Sequence, residues 1–400
     1  MTLLCLAGYA KGHAFLREAK RQGCSVILLS SLSLQETAHW PLESIDEVYY
    51  MPDINHEWNR ADTIKSVSYL ARTREIDRIV ALDDFDAEMA AALREHLRLP
   101  GIGETQVRLF RDKLAMRLGA AAAAIRVPEF SPVFHHAHLS EFLARVPGPW
   151  VLKPRSLAGA IGIKKIHSAE ELWPQLELLG DMQSYYLLER FVPGRVFHVD
   201  TLVYQSEFVF AIASGYGRPP MEVSHGGGVF TTEVLDRQSV ESTQLLNMNR
   251  SLLSAFGLKN GVSHSEFIQA YADGQIYFLE TSARVGGAHI ADLIEAASGL
   301  NLWTEWAKIE CAQGGGAYTS PQPREDYAGL LVSLARQEHP DTSSYKDPEI
   351  VWRMDHNSYH VGLIVQSPDR HRVQYLVAEY TQRLQRDFGA TLPPRDKLTA

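Results

Sequence analysis

The chain has 400 residues, a length that predicts two or three packed units rather than a single core. Hydrophobic residues make up 45% of it and charged residues 22%, which is typical of a globular protein. The net charge of −9 argues against a nucleic-acid partner, because binding a phosphate backbone requires a basic face.

The cysteines and the N-terminus indicate the compartment. Cys5, Cys24 and Cys311 are far apart in the sequence and show neither metal-ligand spacing nor a disulfide framework. The apolar start at residues 3–7 is too short for a signal peptide. No stretch reaches the roughly 20 apolar residues of a membrane span. We therefore expect a cytoplasmic protein with no membrane partner.

Residues 1–99 are predicted to form an N-terminal domain in which strands alternate with helices, a pattern that favours a parallel sheet. Asp83 and Asp84 end one of its strands, at the sheet edge where α/β folds bind ligands, so a substrate role and a structural role are both open for them. The predicted elements are a strand over 2–7, a helix over 13–22, strands over 25–30 and 78–82, and a helix over 87–97.

Beyond residue 100 the pattern becomes richer in strands, and we predict a mixed α/β and α+β protein. A turn signal at residues 272–274 joins two strands into a hairpin. The predicted elements are a helix over 105–119, strands over 149–154, 163–166, 185–192, 196–204 and 207–213, a helix over 239–256, strands over 262–270, 275–281, 329–336 and 360–367, and a helix over 369–386.

The hairpin carries two acidic side chains. On antiparallel strands joined by a short turn, Glu266 and Glu280 can lie side by side on one face. Adjacent carboxylates repel each other unless a cation lies between them, and Mg²⁺ prefers such oxygen ligands. The alternative is a pair of solvated glutamates on an exposed strand face.

The segment that follows Glu280 favours the metal site. Arg284 offers a planar fork for a carboxylate or a phosphate. Gly286 and Gly287 precede a predicted helix, and backbone amides in such a turn can bind an anion. Metal-binding acids beside an anion pocket are typical of phosphoryl transfer.

Two upstream segments have the residues of a nucleotide site. Lys153 ends a strand and is followed by a loop of small residues, 156–162, which can fold its amides over phosphates. Residues 187–194 leave an apolar strand through Glu189 and can present backbone groups and one carboxylate to a purine.

These motifs, in this order, resemble the ATP-grasp superfamily, and most of all its carboxylate–amine ligases and L-amino-acid ligases, which are similar to biotin carboxylase. The resemblance covers residues 100–310. It implies a pre-ATP-grasp domain at 1–99, an ATP-grasp domain at 100–315 with subdomains at 100–190 and 191–315, and a small C-terminal α+β segment at 316–400.

The resemblance also implies roles for single residues. Lys113 matches a lysine that reaches the ATP phosphates, and Lys153 matches the second nucleotide lysine. Ser156, Gly159 and Gly162 belong to the segment that matches the phosphate loop. The adenine-contacting hinge is matched by Glu189, Arg190, Phe191 and Val192.

At the other end of the site, Glu266 and Glu280 match the paired Mg²⁺ ligands. Arg284, Gly286 and Gly287 match the segment that steadies an acyl-phosphate and the substrate carboxylate. His264 matches a position near the substrate in relatives.

Two positions depart from the family pattern. Ser282 stands where relatives have an asparagine that binds metal, so we expect one firm Mg²⁺ and leave a second open. Val196 stands where many relatives have a glutamate that holds the ribose, and His198 or Asp200 are candidates to replace it.

Some histidines lie outside these motifs, and their roles are predicted from their surroundings in the sequence. His225 lies beside three glycines in a loop that could close over a substrate, where it would act as a contact or a general base, or it is an exposed loop residue. The histidines at 135, 136 and 138 are expected to be solvated in a polar linker.

The resemblance implies an enzyme that uses ATP and Mg²⁺, which Mn²⁺ could replace, to phosphorylate a small-molecule carboxylate and join it to an amine, with release of ADP and phosphate. The resemblance makes Arg284 and Lys153 catalytic residues, and the loop position of His225 adds it as a third. A homodimer is left open. The alternatives are a biotin- or purine-type carboxylase that phosphorylates bicarbonate, although no Met-Lys-Met biotin-attachment motif occurs here, and a nucleotide-binding protein without ligase chemistry.

Overall fold

The computed structural model describes residues 1–390. The alternation predicted for the N-terminal domain is confirmed as a four-stranded parallel sheet of order β3-β2-β1-β6. Its elements are β1 (Thr2–Ala7), α1 (His13–Arg21), β2 (Ser25–Ser31), β3 (Glu47–Met51), β4 (Asp53–Ile54), β5 (Glu57–Trp58), α2 (Arg60–Leu70), β6 (Arg78–Ala81) and α3 (Ala87–Leu97).

A second, antiparallel sheet of order β7-β10-β8-β9 follows. Its apolar side packs against two helices, and Leu152 and Leu188 on its strands are fully buried. The elements of this part are α4 (Glu104–Val107), α5 (Lys113–Ala122), β7 (Phe130–Pro132), α6 (His136–Arg145), β8 (Trp150–Pro154), β9 (Lys164–Ile166), α7 (Ala169–Leu179) and β10 (Tyr186–Arg190).

The largest sheet has eight antiparallel strands in the order β15-β14-β11-β12-β13-β16-β18-β17. The last three strands in the chain therefore extend this sheet rather than form one of their own. The elements are β11 (Gly194–Tyr204), β12 (Glu207–Tyr216), α8 (Pro220–Gly226), β13 (Phe230–Val234), α9 (Val240–Phe256), β14 (Gly261–Ala270), β15 (Ile276–Ser282), α10 (Ile290–Ser298), α11 (Leu302–Ala312), β16 (Tyr327–Leu334), β17 (Ile350–Arg353), β18 (His360–Ser367) and α12 (Arg370–Asp387).

The helix predicted over 105–119 is interrupted in the structure. A short 3₁₀ helix at Arg108–Phe110 separates α4 from α5. The Asp112 carboxylate then accepts the backbone N–H groups of Leu114 and Ala115 at 2.9 and 3.4 Å, which caps a new helix. This break places Lys113 at the first position of α5.

Two stretches expected to be irregular contain helices. The loop predicted around residues 222–228 begins as α8, and the polar linker with its histidines begins α6. Within residues 1–390 none of the helices is long and apolar enough to cross a membrane.

Candidate functional site

A cleft of about 670 Å³ lies between the second sheet and the eight-stranded sheet. Its walls are strands β8 and β10 on one side and β11, β14 and β15 on the other. The sequence-predicted residues that line it are Lys113, Lys153, Gly159, Glu189, Arg190, Phe191, Val192, Glu266 and Glu280.

The hairpin brings the two predicted glutamates together. The register of β14 and β15 places Glu266 directly opposite Glu280. The Tyr216 hydroxyl donates to Glu266 Oε1 at 2.7 Å, and Lys113 Nζ lies 2.9 Å from Glu280 Oε2. Although burial opposes its charged form, the Lys113 ammonium keeps the pKa of Glu280 below its usual value. The pair is half-buried in the cleft rather than solvated on an open strand face.

The two predicted lysines approach the cleft from different elements. Lys113 Nζ donates to the Leu157 carbonyl at 2.6 Å, so the start of α5 holds the loop that follows β8. Lys153, on β8, is buried and forms an ion pair with Glu189. Burial lowers the pKa of Lys153 to about 8, while the Glu189 carboxylate opposes this shift and favours the charged ammonium.

Glu189 is held by cations on both sides. Lys153 is one of these cations. The other is Arg117, whose Nε donates to Glu189 Oε2 at 3.0 Å. Arg117 also donates to the backbone carbonyl of Leu279, next to Glu280. Burial opposes ionisation of Glu189, but these cations keep its pKa low. The carboxylate therefore positions Lys153, and residues 190–192, which were predicted to form part of an adenine-contacting hinge, line the cleft wall.

Arg117 was not found from the sequence. It is fully buried although it lies in an alanine-rich helix. The signal that could have found it is its spacing, because it lies four residues after Lys113 and therefore on the same face of α5. A cation on the buried face of a helix needs a buried anion, and here that anion is Glu189.

The loop of residues 156–162 follows β8, as predicted. Gly159 and Gly162 adopt φ values of 68° and 69°, a conformation that favours glycine. Gly159 lines the cleft, and Arg111 donates to the Ser156 carbonyl at 2.7 Å. The residues at the two ends of the loop, Ser156 and Gly162, lie outside the cleft lining.

A pair formed by Asp84 and Arg284 joins the N-terminal domain to the end of β15. Arg284 Nε donates to Asp84 Oδ2 at 2.7 Å, and the Ser282 hydroxyl donates to the same oxygen at 3.2 Å. Burial opposes the charge on Asp84, but Arg284 and Arg111 lower its pKa to about 2. Ser282, predicted to be a weaker metal ligand, thus has its proton directed to Asp84.

A buried polar row lies beneath Glu266. His264 Nδ1 and His198 Nδ1 lie 2.9 and 2.6 Å from the two oxygens of Asp200, and His198 Nε2 lies 2.8 Å from the Thr232 hydroxyl. Burial opposes protonation of His264, but the Asp200 charge raises its pKa to about 9. His264 Nε2 lies 3.7 Å from Glu266 Oε1, so the imidazole whose protonated form Asp200 favours stands beside this glutamate.

The two candidates for holding a ribose, His198 and Asp200, belong to this buried row. His198 and Asp200 are fully buried and hydrogen-bonded to each other, and neither side chain lines the cleft. Val196 lines it instead. The side chain that lines the cleft at position 196 is therefore apolar.

The glycine turn before α10 packs against the same row. A side chain at Gly286 would come within 3.0 Å of both Asp200 Oδ1 and His264 Nδ1, whereas one at Gly287 would meet open space. Gly286 is therefore needed for close approach of the backbone. This contact places the turn directly beside the predicted substrate residue, His264.

The other histidines lie apart from the cleft. His225 is exposed at the end of α8, although residues 217–222 just before it line the cleft. His136 is hydrogen-bonded to Gln183 at 2.8 Å on the exposed face of α6. The role of His225 stays a prediction.

Comparison with known proteins places this geometry in a known fold. No protein-family model matches the sequence. The L-amino acid ligase of Bacillus licheniformis superposes with a TM-score of 0.75 at 16% identity and covers 97% of both chains. An N5-carboxyaminoimidazole synthetase from Staphylococcus aureus, solved with ADP, superposes with a TM-score of 0.71 at 14% identity, over 95% of this chain and 96% of that one.

The chain has the ATP-grasp fold. In sequence it is 24% identical over 274 residues to an L-arginine-specific L-amino acid ligase of Bacillus subtilis. The match covers 66% of this chain and 63% of that protein, so it spans less than two thirds of the curated relative. The ATP-grasp resemblance recognised in the sequence is thereby confirmed.

Proposed function

We propose that this ATP-grasp protein is an ATP- and magnesium-dependent ligase that phosphorylates a substrate carboxylate and joins it to an amine, with release of ADP and phosphate. The observation that carries the proposal is the convergence of two buried lysines and two opposed carboxylates on one cleft. Phosphoryl transfer depends on positioning and on charge stabilisation, and these side chains supply both.

The residues fit a nucleotide. The cleft has room for one, and apolar side chains of Val151, Ile163, Phe191, Ile268 and Leu279 offer flat or branched surfaces to a base. Lys113 and Lys153 would hold the phosphates as point charges. The S. aureus relative, solved with ADP, supports this assignment.

The same cleft fits one magnesium ion. Glu266 and Glu280 would hold it, since Mg²⁺ takes hard oxygen ligands and shares them with phosphates. When bound, the ion would neutralise phosphate charge and act as a Lewis acid. A second ion has a weaker basis, because the Ser282 hydroxyl is engaged by Asp84.

The acid substrate is proposed to lie beside Arg284 and the glycine turn. Asp84 fixes the direction of the Arg284 fork, and the turn at Gly286 and Gly287 presents backbone next to His264. These groups would steady the carboxylate while it accepts the phosphoryl group. The amine would then attack the acyl carbon and displace phosphate.

The two ligase relatives suggest amino acids as substrates. One is named as an L-arginine-specific L-amino acid ligase and the other as an L-amino acid ligase. Small molecules with one carboxylate and one amine fit the chemistry of the cleft, and we propose this class for both substrates.

The test is release of ADP and phosphate from Mg·ATP across a panel of L-amino-acid pairs, with bicarbonate and biotin in separate arms and product mass measured in parallel. We expect turnover that requires an acid and an amine together and yields a product lighter than their sum by one water. Turnover of ATP with bicarbonate alone would contradict the amide-ligase proposal. Binding of ATP without turnover on any pair of amino acids would contradict it as well.

A further inference from the structure

Two cysteines that are distant in the sequence meet in the fold. Cys24 Sγ and Cys311 Sγ lie 2.8 Å apart, although 287 residues separate them along the chain. The sequence showed no disulfide framework because their spacing gives no hint of this contact. The third cysteine, Cys5, lies in the middle of β1 and is fully buried.

Folded elements hold both thiols in place. Cys24 directly precedes β2, and its N–H donates to the Ala19 carbonyl of α1 at 3.1 Å. Cys311 lies in the last turn of α11. The two helices pack together, with the Phe15 and Trp306 rings edge to face at 5.1 Å. A disulfide has a sulfur–sulfur distance of about 2.0 Å, so a small side-chain movement would close the bond.

The environment activates one thiol of the pair. The hydrogen bond between Cys24 and Cys311 lowers the pKa of Cys24 despite burial, which favours the Cys24 thiolate. The thiolate is the nucleophile in disulfide chemistry, so Cys24 would react first. Cys311 is half-buried and stands within reach as the second thiol. By contrast, burial raises the pKa of Cys5.

We propose that Cys24 and Cys311 are a redox-sensitive pair that closes into a disulfide when a peroxide is present. The Cys24 thiolate attacks one oxygen of hydrogen peroxide, gives a sulfenic acid and releases hydroxide. The Cys311 sulfur then attacks the Cys24 sulfur, loses its proton and displaces the sulfenic oxygen as water. In sum, two thiols and one peroxide give one disulfide and two waters. A thiol reductant returns the disulfide to two thiols by exchange and is itself oxidised to a disulfide.

The disulfide would connect two parts of the chain that the Asp84–Arg284 ion pair also connects. Cys24 belongs to the N-terminal domain, as Asp84 does, and Cys311 belongs to the helical segment that follows Arg284. The disulfide would join the same two parts covalently at a second point. This inference stands apart from the proposed ligase activity, because its test measures thiols and stability.

Trypsin separates the three cysteines, which makes the pairing measurable. Cleavage after lysine and arginine leaves Cys5 in residues 1–11, Cys24 in 22–60 and Cys311 in 309–324. The protein is treated with hydrogen peroxide, its remaining thiols are alkylated, and the digest is analysed by mass spectrometry with and without reductant. We expect a reducible cross-link between 22–60 and 309–324, with Cys5 alkylated. Full alkylation of all three cysteines, or a cross-link that contains Cys5, would overturn the proposal.

Matched variants separate the bond from other oxidation. We expect peroxide to raise the midpoint of thermal unfolding by several degrees in the wild type and in Cys5→Ala, and reductant to abolish this rise. Cys311→Ser and Cys24→Ser should show no rise. The half-buried Cys311 position keeps the test valid if the buried Cys24→Ser fails to fold. A rise that persists in Cys311→Ser, or covalent dimers in place of the internal bond, would contradict the pairing.

Discussion

The candidate site has a lysine end (Lys113, Lys153, Glu266 and Glu280), which lines the cleft, and an arginine end (Asp84, Ser282 and Arg284), which lies outside the cleft lining. The two ends differ in how the chain assembles them. At the lysine end, the glutamates come from one hairpin, and the register of two consecutive strands sets them opposite each other. At the arginine end, the central ion pair joins residues 200 positions apart, from segments that follow strands of two different sheets.

The two ends are expected to differ in function: the lysine end in catalysis, and the arginine end in holding the fold together. Groups at the lysine end line the cleft, so removing one should change catalysis more than stability. Asp84 is buried and ties the N-terminal domain to β15, so removing its charge should change stability as well. The following variants test this division.

Glu280→Gln should have the largest effect. The change keeps the shape of the side chain but removes its charge, and the metal would lose one of its two carboxylates. We expect turnover to fall by about 10³-fold, because a Lewis-acid metal contributes several kcal/mol to catalysis. Steady-state ADP release measures this loss, and circular dichroism should show an unchanged fold. Glu207→Gln, at an exposed position of β12, is the matched control. Full activity in Glu280→Gln would refute the metal assignment.

Lys153→Met should have a smaller effect, directed at nucleotide binding. Loss of a charged hydrogen bond of about 1.5–3 kcal/mol predicts a rise of roughly 10- to 100-fold in the KM for ATP. Glu189 keeps Arg117 as a partner, so the fold should persist. Lys65→Met, on the exposed face of α2, controls for the loss of a lysine. An unchanged KM for ATP would remove Lys153 from the phosphate site.

Asp84→Asn tests the arginine end through its pH dependence. A pKa of about 2 in the folded state, against 3.8 in the unfolded chain, corresponds to about 2 kcal/mol. Because the folded-state pKa is the lower one, this stabilisation is present above pH 4 and is lost as the pH falls toward 2.

The measurement is the difference in unfolding free energy between the wild type and Asp84→Asn, from urea titrations at pH 7, 4 and 3. We expect the difference to be largest at pH 7 and to shrink below pH 4. Asp62→Asn, an exposed change on α2, should show no such trend. A difference that does not vary between pH 7 and pH 3 would mean that the Asp84 charge does not stabilise the fold.

Local patterns made the lysine end predictable from the sequence. A turn signal between two apolar strands fixes a hairpin, and side chains alternate along its strands, so Glu266 and Glu280 could be placed on one face. The break before Lys113 was missed, although Asp112 ahead of an apolar run is an N-cap signal.

The rest depends on contacts that no local pattern encodes. Asp84 and Arg284 meet only because the N-terminal sheet docks beside β15. The buried row of His198, Asp200 and His264 requires the pairing of β11 with β14, and in the sequence these residues look like isolated polar positions within apolar strands. Such buried polar groups are stable only when they meet, and the sequence does not say which groups will meet.

The most direct test of phosphoryl transfer to a carboxylate uses a substrate acid labelled with ¹⁸O in its carboxyl group. If the γ-phosphoryl group passes to the carboxylate and the amine then displaces it, one labelled oxygen must leave with the phosphate. We expect inorganic phosphate that carries one ¹⁸O in each turnover, measured by mass spectrometry together with the amide product. Amide formation with unlabelled phosphate would contradict the acyl-phosphate route, and with it the role proposed for the cleft.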